Sequence, residues 1–222
     1  MHVPFGNVGW NLFLAAIPAV LGYLISWGLG AKGRRRVLPA WIAAPLALVW
    51  LVFLPNTCYL LSEWRHLLID ERWMGVVSAA QTNDPYAMYS LARGSLFFLA
   101  YSGLGVMLFV LAVRPIERWL RSVGISMIAV APFLFWLTSL GVYMGLIVRL
   151  NSWDLLNRPA HVIDVAANAV TNTTLLGSIT VFAILLWALY EAVDLWVDGL
   201  TDRLRQWGLV RAPSGRTANA AA

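Results

Sequence analysis

The chain has 222 residues, of which 60% are hydrophobic and only 12% are charged, and its mean hydropathy is +0.70. Soluble domains carry about 25% charged residues, so this composition excludes an ordinary soluble domain. The net charge of +5 does not indicate a nucleic-acid partner, because the basic residues lie in short segments between apolar runs, and the single cysteine, Cys58, excludes an internal disulfide.

Apolar runs without charged residues recur along the chain. Each is close to or longer than the roughly 20 residues that a helix needs to cross a bilayer. Such a segment must be helical in lipid, because its backbone groups have no water to bond. We therefore predict an all-α, polytopic transmembrane helical bundle of about five spans. The spans are predicted at Gly9–Leu29, Leu38–Leu61, Gly94–Val113, Ile125–Val148 and Ala169–Ala192.

Three segments add detail to this pattern. The first run lacks the basic start of a cleavable signal peptide and is longer than a signal core, so it is expected to remain as a span. Pro55 cannot donate a backbone hydrogen bond, which predicts a bend near Phe53 or Leu54. The segment Trp73–Asn83 is too short to cross and is predicted to be a re-entrant or surface helix.

Lysine and arginine are distributed unequally between the two sides of the predicted bundle. Because positive residues accumulate on the cytoplasmic side, we predict an outside N-terminus, a cytoplasmic C-terminus and a location in the cell inner (cytoplasmic) membrane. Residues 1–208 are expected to form one transmembrane domain and residues 209–222 a disordered cytoplasmic tail. The richer side carries Lys32, Arg34, Arg35, Arg36, Arg114, Arg118, Arg121, Arg203, Arg205, Arg211 and Arg216, and the poorer side carries Arg65, Arg72, Arg93, Arg149 and Arg158.

Polar residues recur at helical spacing where the second span ends. Asn56, Tyr59, Glu63, His66 and Asp70 follow one another at intervals of 3, 4, 3 and 4 residues. If the helix continues beyond the span, that spacing places all five on one face. The sequence therefore predicts a polar stripe that begins within the membrane and runs outward.

A second polar segment directly follows the fourth span. It reads Arg149-Leu150-Asn151-Ser152-Trp153-Asp154, and either the asparagine or the serine is predicted to cap a helix that begins near the tryptophan. Pro159 suits the first turn of a further helix. Polar residues then recur at intervals of 3, 4 and 4, which predicts a second stripe that enters the fifth span: His161, Asp164, Asn168 and Asn172.

By the predicted topology, both stripes lie on the extracytoplasmic side and line one polar cleft, which Asn7 and Asn11 of the first span could join. Ionisable groups near membrane depth are costly unless they are paired or hydrated. We therefore predict a cleft that binds a lipid headgroup or another amphiphile. The predicted ligand-binding residues are Asn56, Tyr59, Glu63, His66, Arg149, Asn151, Asp154, His161 and Asp164.

Two other functions stay open at this point. An intramembrane enzyme acting on a lipid-linked substrate would use Glu63, His66 and Asp154 as its candidate catalytic groups. A small transporter component is less favoured, because transporters usually place polar groups near the bilayer midplane and the centres of the third and fourth spans carry few of them.

The same residues also set expectations about metals, cofactors and partners. No metal site is predicted, because neither stripe has the two-histidine spacing of a zinc-binding helix, and no phosphate or dinucleotide loop indicates a cofactor. Membrane lipids are the expected partners, and a membrane-protein partner or a homo-oligomer is kept open for an accessory subunit. At the other end of the fifth span, Glu191, Asp194 and Asp198 share a face and are predicted to pair with arginines of the basic loops.

Three segments, in this order, give the chain a family resemblance. They are Trp10-Asn11-Leu12-Phe13-Leu14-Ala15, Phe53-Leu54-Pro55-Asn56-Thr57-Cys58-Tyr59 and Arg149-Leu150-Asn151-Ser152-Trp153-Asp154. The pattern resembles the bacterial integral-membrane family known as domain of unknown function 1361, from about Trp10 to the fifth span. Cys58 stands where that family has a second proline, and Leu146 stands where an arginine would follow Gly145. The resemblance implies a membrane-embedded helical fold and supplies no activity.

Overall fold

A computed structural model describes residues 8–30, 36–62, 71–151 and 153–210. Over these residues the secondary structure is helical and includes no strand, which confirms the predicted all-α class. Apart from its first two residues, the predicted tail lies outside the described residues. The helices are α1 (Val8–Leu29), α2 (Ala40–Phe53), α3 (Pro55–Ser62), α4 (Glu71–Gln81), α5 (Pro85–Ser122), α6 (Met127–Leu146), α7 (Asp154–Asn157), α8 (Pro159–Thr171) and α9 (Thr173–Gln206).

Five of these segments are long and apolar enough to cross a membrane: α1, the combined segment Ala40–Leu61, α5, α6 and α9. Their outward faces are also apolar. On α9, for example, Val181, Ile184 and Leu185 are each 59% exposed. An apolar surface of this extent is unfavourable in water and suits contact with lipid tails. The chain is therefore a multi-pass membrane protein with five spanning segments, as predicted.

The second spanning segment is interrupted at Leu54, where Pro55 begins α3. Pro55 has no N–H to donate to the preceding turn, which is why the sequence predicted a bend here. The Leu54 N–H still donates to the Trp50 carbonyl at 2.9 Å, and the Thr57 hydroxyl donates to the Leu54 carbonyl at 2.7 Å. These bonds hold the two halves together as one segment.

Helices α5 and α9 are longer than the predicted spans, at 38 and 34 residues. The predicted third span ended at Val113 because Arg114 is charged, but the helix continues through the basic segment that was expected to be a loop. Arg114 and Arg118 lie one turn apart and reach acidic side chains on the equally extended end of α9. Pairing between helices therefore keeps both ends helical beyond the apolar stretch.

The fifth span also begins later than predicted. It was expected from Ala169, but the helix is interrupted at Asn172, which separates α8 from α9. The Asn172 side-chain oxygen accepts hydrogen bonds from the N–H groups of Thr174 at 3.0 Å and Leu175 at 3.2 Å. Asn172 is thus an N-cap of α9 and not the last member of a continuous polar stripe.

The core of the bundle lies where α5, α6 and α9 meet. Phe109, Phe135 and Tyr190 are each at most 1% exposed. Their ring centroids are 5.6 to 6.4 Å apart, in edge-on and tilted arrangements. Such contacts between rings hold the three helices in a fixed relation.

The first half of the chain packs against α5 through small residues. A side-chain carbon on Gly105 would lie 2.7 Å from Leu60 Cβ and 2.9 Å from the Thr57 carbonyl, so α3 can approach α5 only at a glycine. Ser102 strengthens this contact by donating to the Leu60 carbonyl at 3.2 Å. Close helix approach at small residues, supported by interhelical hydrogen bonds, is the usual way in which membrane helices associate.

The segment predicted to be a re-entrant or surface helix forms α4, which is shorter than the spanning helices. It packs on α5, where the Trp73 ring lies directly over Gly94. A side-chain carbon at Gly94 would overlap this ring. The pair therefore fixes α4 to the end of α5.

Candidate functional site

The polar residues of α3 are positioned by two glycines of α6. Pro55 packs against Gly141, and the Tyr59 ring lies over Gly145, where a side-chain carbon would lie 2.5 Å from the Tyr59 Cζ atom and would overlap the hydroxyl. The Tyr59 hydroxyl donates to the Gly141 carbonyl at 3.3 Å. The two glycines, one helical turn apart, therefore seat α3 against α6 and set the direction of the Tyr59 side chain.

A polar cavity of about 310 Å³ lies where α1, α3 and the end of α6 meet. We call it the Asn56 cavity. It brings together four of the nine predicted ligand-binding residues, Asn56, Tyr59, Arg149 and Asn151, and it adds Asn11. Its remaining lining residues are Trp10, Leu14, Phe53, Gly145, Leu150 and Trp153.

Asn56 is the buried polar group of this cavity. The residue is only 7% exposed, and its amide nitrogen has no hydrogen-bond partner within the described part of the chain. Leaving a buried amide donor without a partner costs about 1–3 kcal/mol. The cavity therefore holds a donor that an incoming acceptor would satisfy.

Arg149 brings a positive charge to the cavity from a strained backbone position. Helix α6 ends just before it, and the Leu150 N–H closes the end by donating to the Met144 carbonyl at 3.0 Å. Arg149 itself has a φ of 64°, in the left-handed region that non-glycine residues rarely adopt. Strain of this kind is concentrated at functional sites and is maintained by the surrounding structure.

Asp154 stabilises the turn that follows and does not line the cavity. Its carboxylate accepts the Asn151 N–H at 2.7 Å, while its own N–H donates to the Asn151 carbonyl at 2.9 Å. The helix predicted near Trp153 begins at Asp154, and Asn151 contributes its backbone, without a side-chain cap. Ser152, the other predicted cap, lies outside the described residues.

An apolar groove of about 220 Å³ adjoins the Asn56 cavity. We call it the Tyr59 groove. It shares Tyr59, Gly145, Leu150 and Asn151 with the cavity, so these four residues border both the polar and the apolar space. The rest of the groove is lined by Leu51, Val52, Pro55, Leu137, Leu140, Gly141, Met144, Leu155 and Val162.

Of the other predicted site residues that the structure describes, Asp154, His161 and Asp164 line neither space. His161 and Asp164 are exposed on α8, whose buried residues are Val162 and Ala169. The predicted second stripe therefore points away from the packed face of its helix. Glu63 and His66, the other candidate catalytic groups, lie outside the described residues, as do Asp70 and Asn7. Within the part of the chain that is described, no group of three or more His, Cys, Asp or Glu side chains could hold a metal ion.

Charged residues at the opposite end of the bundle form a separate cluster, which we call the Arg114 network. Arg114 Nε lies 2.9 Å from an Asp194 carboxylate oxygen, and Arg114 also bonds Asp198. These contacts confirm the predicted pairing with arginine for Asp194 and Asp198, whereas the Glu191 carboxylate accepts from the Trp187 indole N–H at 3.0 Å within α9. Glu117 accepts hydrogen bonds from the Tyr190 hydroxyl and from Arg121, although it is only 3% exposed.

Sequence reasoning missed several parts of both sites. Glu117 was not singled out, although its four-residue spacing from Arg121 is a recognisable helical pair. Gly145 was noted only as a family position, and nothing in its spacing from Tyr59 shows that the two would touch. Trp10, which lines the cavity, was likewise noted only as part of a family segment.

Comparison with known families agrees with this architecture. The model of a family described as a protein of unknown function, DUF1361, matches residues 10–189, which include all five spanning segments in whole or in part. No curated protein and no solved structure matches the chain. The match covers most of the sequence, so the chain belongs to the DUF1361 family.

Proposed function

We propose that the protein binds a membrane amphiphile, with the polar headgroup in the Asn56 cavity and one apolar chain in the Tyr59 groove. The observation that carries this proposal is the shared wall of the two spaces at Tyr59, Gly145, Leu150 and Asn151. A molecule with a polar end joined to an apolar chain fits such a pair of adjoining spaces better than a wholly polar or wholly apolar ligand.

The chemistry of the walls supports the same ligand class. Ligand sites are mostly apolar and carry a few placed polar groups that fix orientation. Here Asn56 and Arg149 provide polar groups on one side, while Leu140 and Met144 provide apolar surface on the other. Trp10 and Trp153, which are 54% and 47% exposed, lie at the cavity as aromatic side chains do at the membrane–water interface.

The protein is proposed to act in the inner membrane, with the cavity on the extracytoplasmic side, as the charge distribution predicts. A binding role suits an accessory subunit that holds a lipid or presents it to a partner. The enzyme alternative depends on Glu63 and His66, outside the described residues, and Asp154 is already engaged by the Asn151 N–H. No contact among the described residues favours the transporter alternative over binding.

The proposal can be tested with two neighbouring leucines of α7. Leu155 lines the Tyr59 groove, whereas Leu156 is 84% exposed and does not. We expect Leu155→Trp to fill the groove and Leu156→Trp, the matched control, to leave it open. Native mass spectrometry of protein extracted in mild detergent should show retained lipid on the wild type and on the Leu156→Trp variant, and a several-fold lower fraction on the Leu155→Trp variant. Equal retention by all three proteins would contradict the proposal.

A further inference from the structure

The Asn56 cavity offers hydrogen-bond donors and positive charge. Among the described residues that line it, Arg149 is the one charged side chain, and no carboxylate is present. The amide nitrogen of Asn56 is a second donor, buried without a partner among the described residues. A ligand group that satisfies both must accept hydrogen bonds and tolerate or carry negative charge.

No carboxylate of the described residues pairs with Arg149. None of the ion pairs in the described part of the chain includes Arg149. The nearest acidic residue in sequence, Asp154, directs its carboxylate to the Asn151 N–H at 2.7 Å. Within the described part of the chain the guanidinium donors are thus not used by a carboxylate, and the planar fork of the guanidinium matches the oxygens of a phosphate or carboxylate in pairs.

From this arrangement we infer that the headgroup bound in the Asn56 cavity is anionic and is a phosphate ester. The inference rests on the proposed amphiphile site and names its ligand class. The phosphate oxygens accept from the Arg149 guanidinium and from the Asn56 amide, and the chain attached to the phosphate lies in the Tyr59 groove. Phosphate is favoured over carboxylate because a phosphate monoester has three non-bridging oxygens, so two can bond the guanidinium fork while the third accepts from the Asn56 amide.

Binding titrations of the full chain in detergent, followed by native mass spectrometry, test this inference with three probes. They are dioctanoyl phosphatidic acid, dioctanoylglycerol and inorganic phosphate. The first two have the same acyl chains and differ in the phosphate, and the third has the phosphate without chains. The wild type is expected to bind the phosphatidic acid about tenfold more tightly than either of the other probes, because only this probe engages the cavity and the groove together.

Three variants separate charge from structure. Arg149→Asn removes the charge, and asparagine tolerates the left-handed backbone, so affinity for phosphatidic acid should fall about tenfold while affinity for dioctanoylglycerol stays unchanged. Asn56→Asp replaces a donor by an acceptor of the same shape and should weaken binding of the phosphatidic acid alone. Arg158→Asn, at an exposed arginine that does not line the cavity, is the matched control and should bind both lipids as the wild type does.

The outcomes distinguish this inference from the proposed function. Equal affinity of the wild type for the two lipids, unchanged by Arg149→Asn, would overturn the anionic headgroup while leaving an amphiphile site. Binding of inorganic phosphate as tight as that of phosphatidic acid would instead show an anion site without a chain, which overturns the amphiphile. Failure of the wild type to bind any of the three probes would overturn both.

Discussion

Two residues of the site show how closely position and chemistry are linked. Only glycine fits at position 145, because the Tyr59 ring fills the space that a side-chain carbon would take. The Tyr59 hydroxyl in turn donates to the Gly141 carbonyl at 3.3 Å. Tyr59 also belongs to both the cavity and the groove. A change at Gly145 would therefore act on ligand binding through the position of Tyr59, without adding or removing a polar group.

Gly145→Ala is expected to destabilise the protein by about 2 kcal/mol, because the added methyl group overlaps the Tyr59 side chain and forces a shift in a packed region. Gly177→Ala is the matched control, since no atom lies within 4 Å of the position that its side-chain carbon would take. Unfolding midpoints in a detergent titration would measure both. Equal midpoints for the two variants would show that Tyr59 does not depend on Gly145.

At the scale of elements, the Arg114 network joins α5 to α9 at the end of the bundle opposite the Asn56 cavity. Arg114 is 7% exposed and lies between Asp194 and Asp198. A buried ion pair contributes little net stability compared with apolar packing, but removing one partner leaves an uncompensated buried charge. The network therefore makes the relative position of the two long helices sensitive to single substitutions.

Arg114→Gln is expected to cost about 3 kcal/mol of unfolding free energy, because Asp194, whose side chain is only 17% exposed, then loses its cation. The double variant Arg114→Gln with Asp194→Asn should recover part of this loss, since it removes both charges. Asp202→Asn is the control, because the Asp202–Arg205 pair is exposed and lies within one helix. If the control and Arg114→Gln have equal effects on the unfolding midpoint, the network does not hold the helices together.

The elements also show which features the sequence could predict. Apolar runs indicate the five spanning segments, because lipid requires an apolar surface over a fixed length. They do not indicate where α5 and α9 end, because Arg114 and Asp198 pair between helices that are distant in sequence. Helical length beyond the membrane depends on such pairing and not on hydropathy.

The same reasoning explains the mixed outcome for the site. The spacing of Asn56 and Tyr59 correctly placed them on one face of α3, and both line the cavity. The same spacing of His161 and Asp164 correctly indicates one face of α8 but does not indicate whether that face points toward the bundle. In the structure both residues are exposed, and Val162 packs inward and lines the Tyr59 groove. Periodicity defines a helical face, whereas tertiary packing decides which face is buried.

For the whole molecule, the two ends of the bundle differ in chemistry. One end carries the Asn56 cavity, with Arg149 and the Asn56 amide, and the other carries the ion-paired Arg114 network. The buried thiol of Cys58 lies in the core and is 1% exposed. Because this is the chain's single cysteine, an added cysteine at either end would report which side of the membrane that end faces.

Leu156→Cys and Leu209→Cys test the predicted orientation. The two leucines are 84% and 71% exposed, and Leu156 precedes α9 in the sequence whereas Leu209 follows it. Because positive residues favour the cytoplasm, a membrane-impermeant maleimide should label Leu156→Cys in intact spheroplasts and Leu209→Cys only after lysis, with the wild type unlabelled in both states. The reverse pattern would place the Asn56 cavity on the cytoplasmic side. Labelling of both variants before lysis would put the two positions on one side, which contradicts α9 as a single crossing.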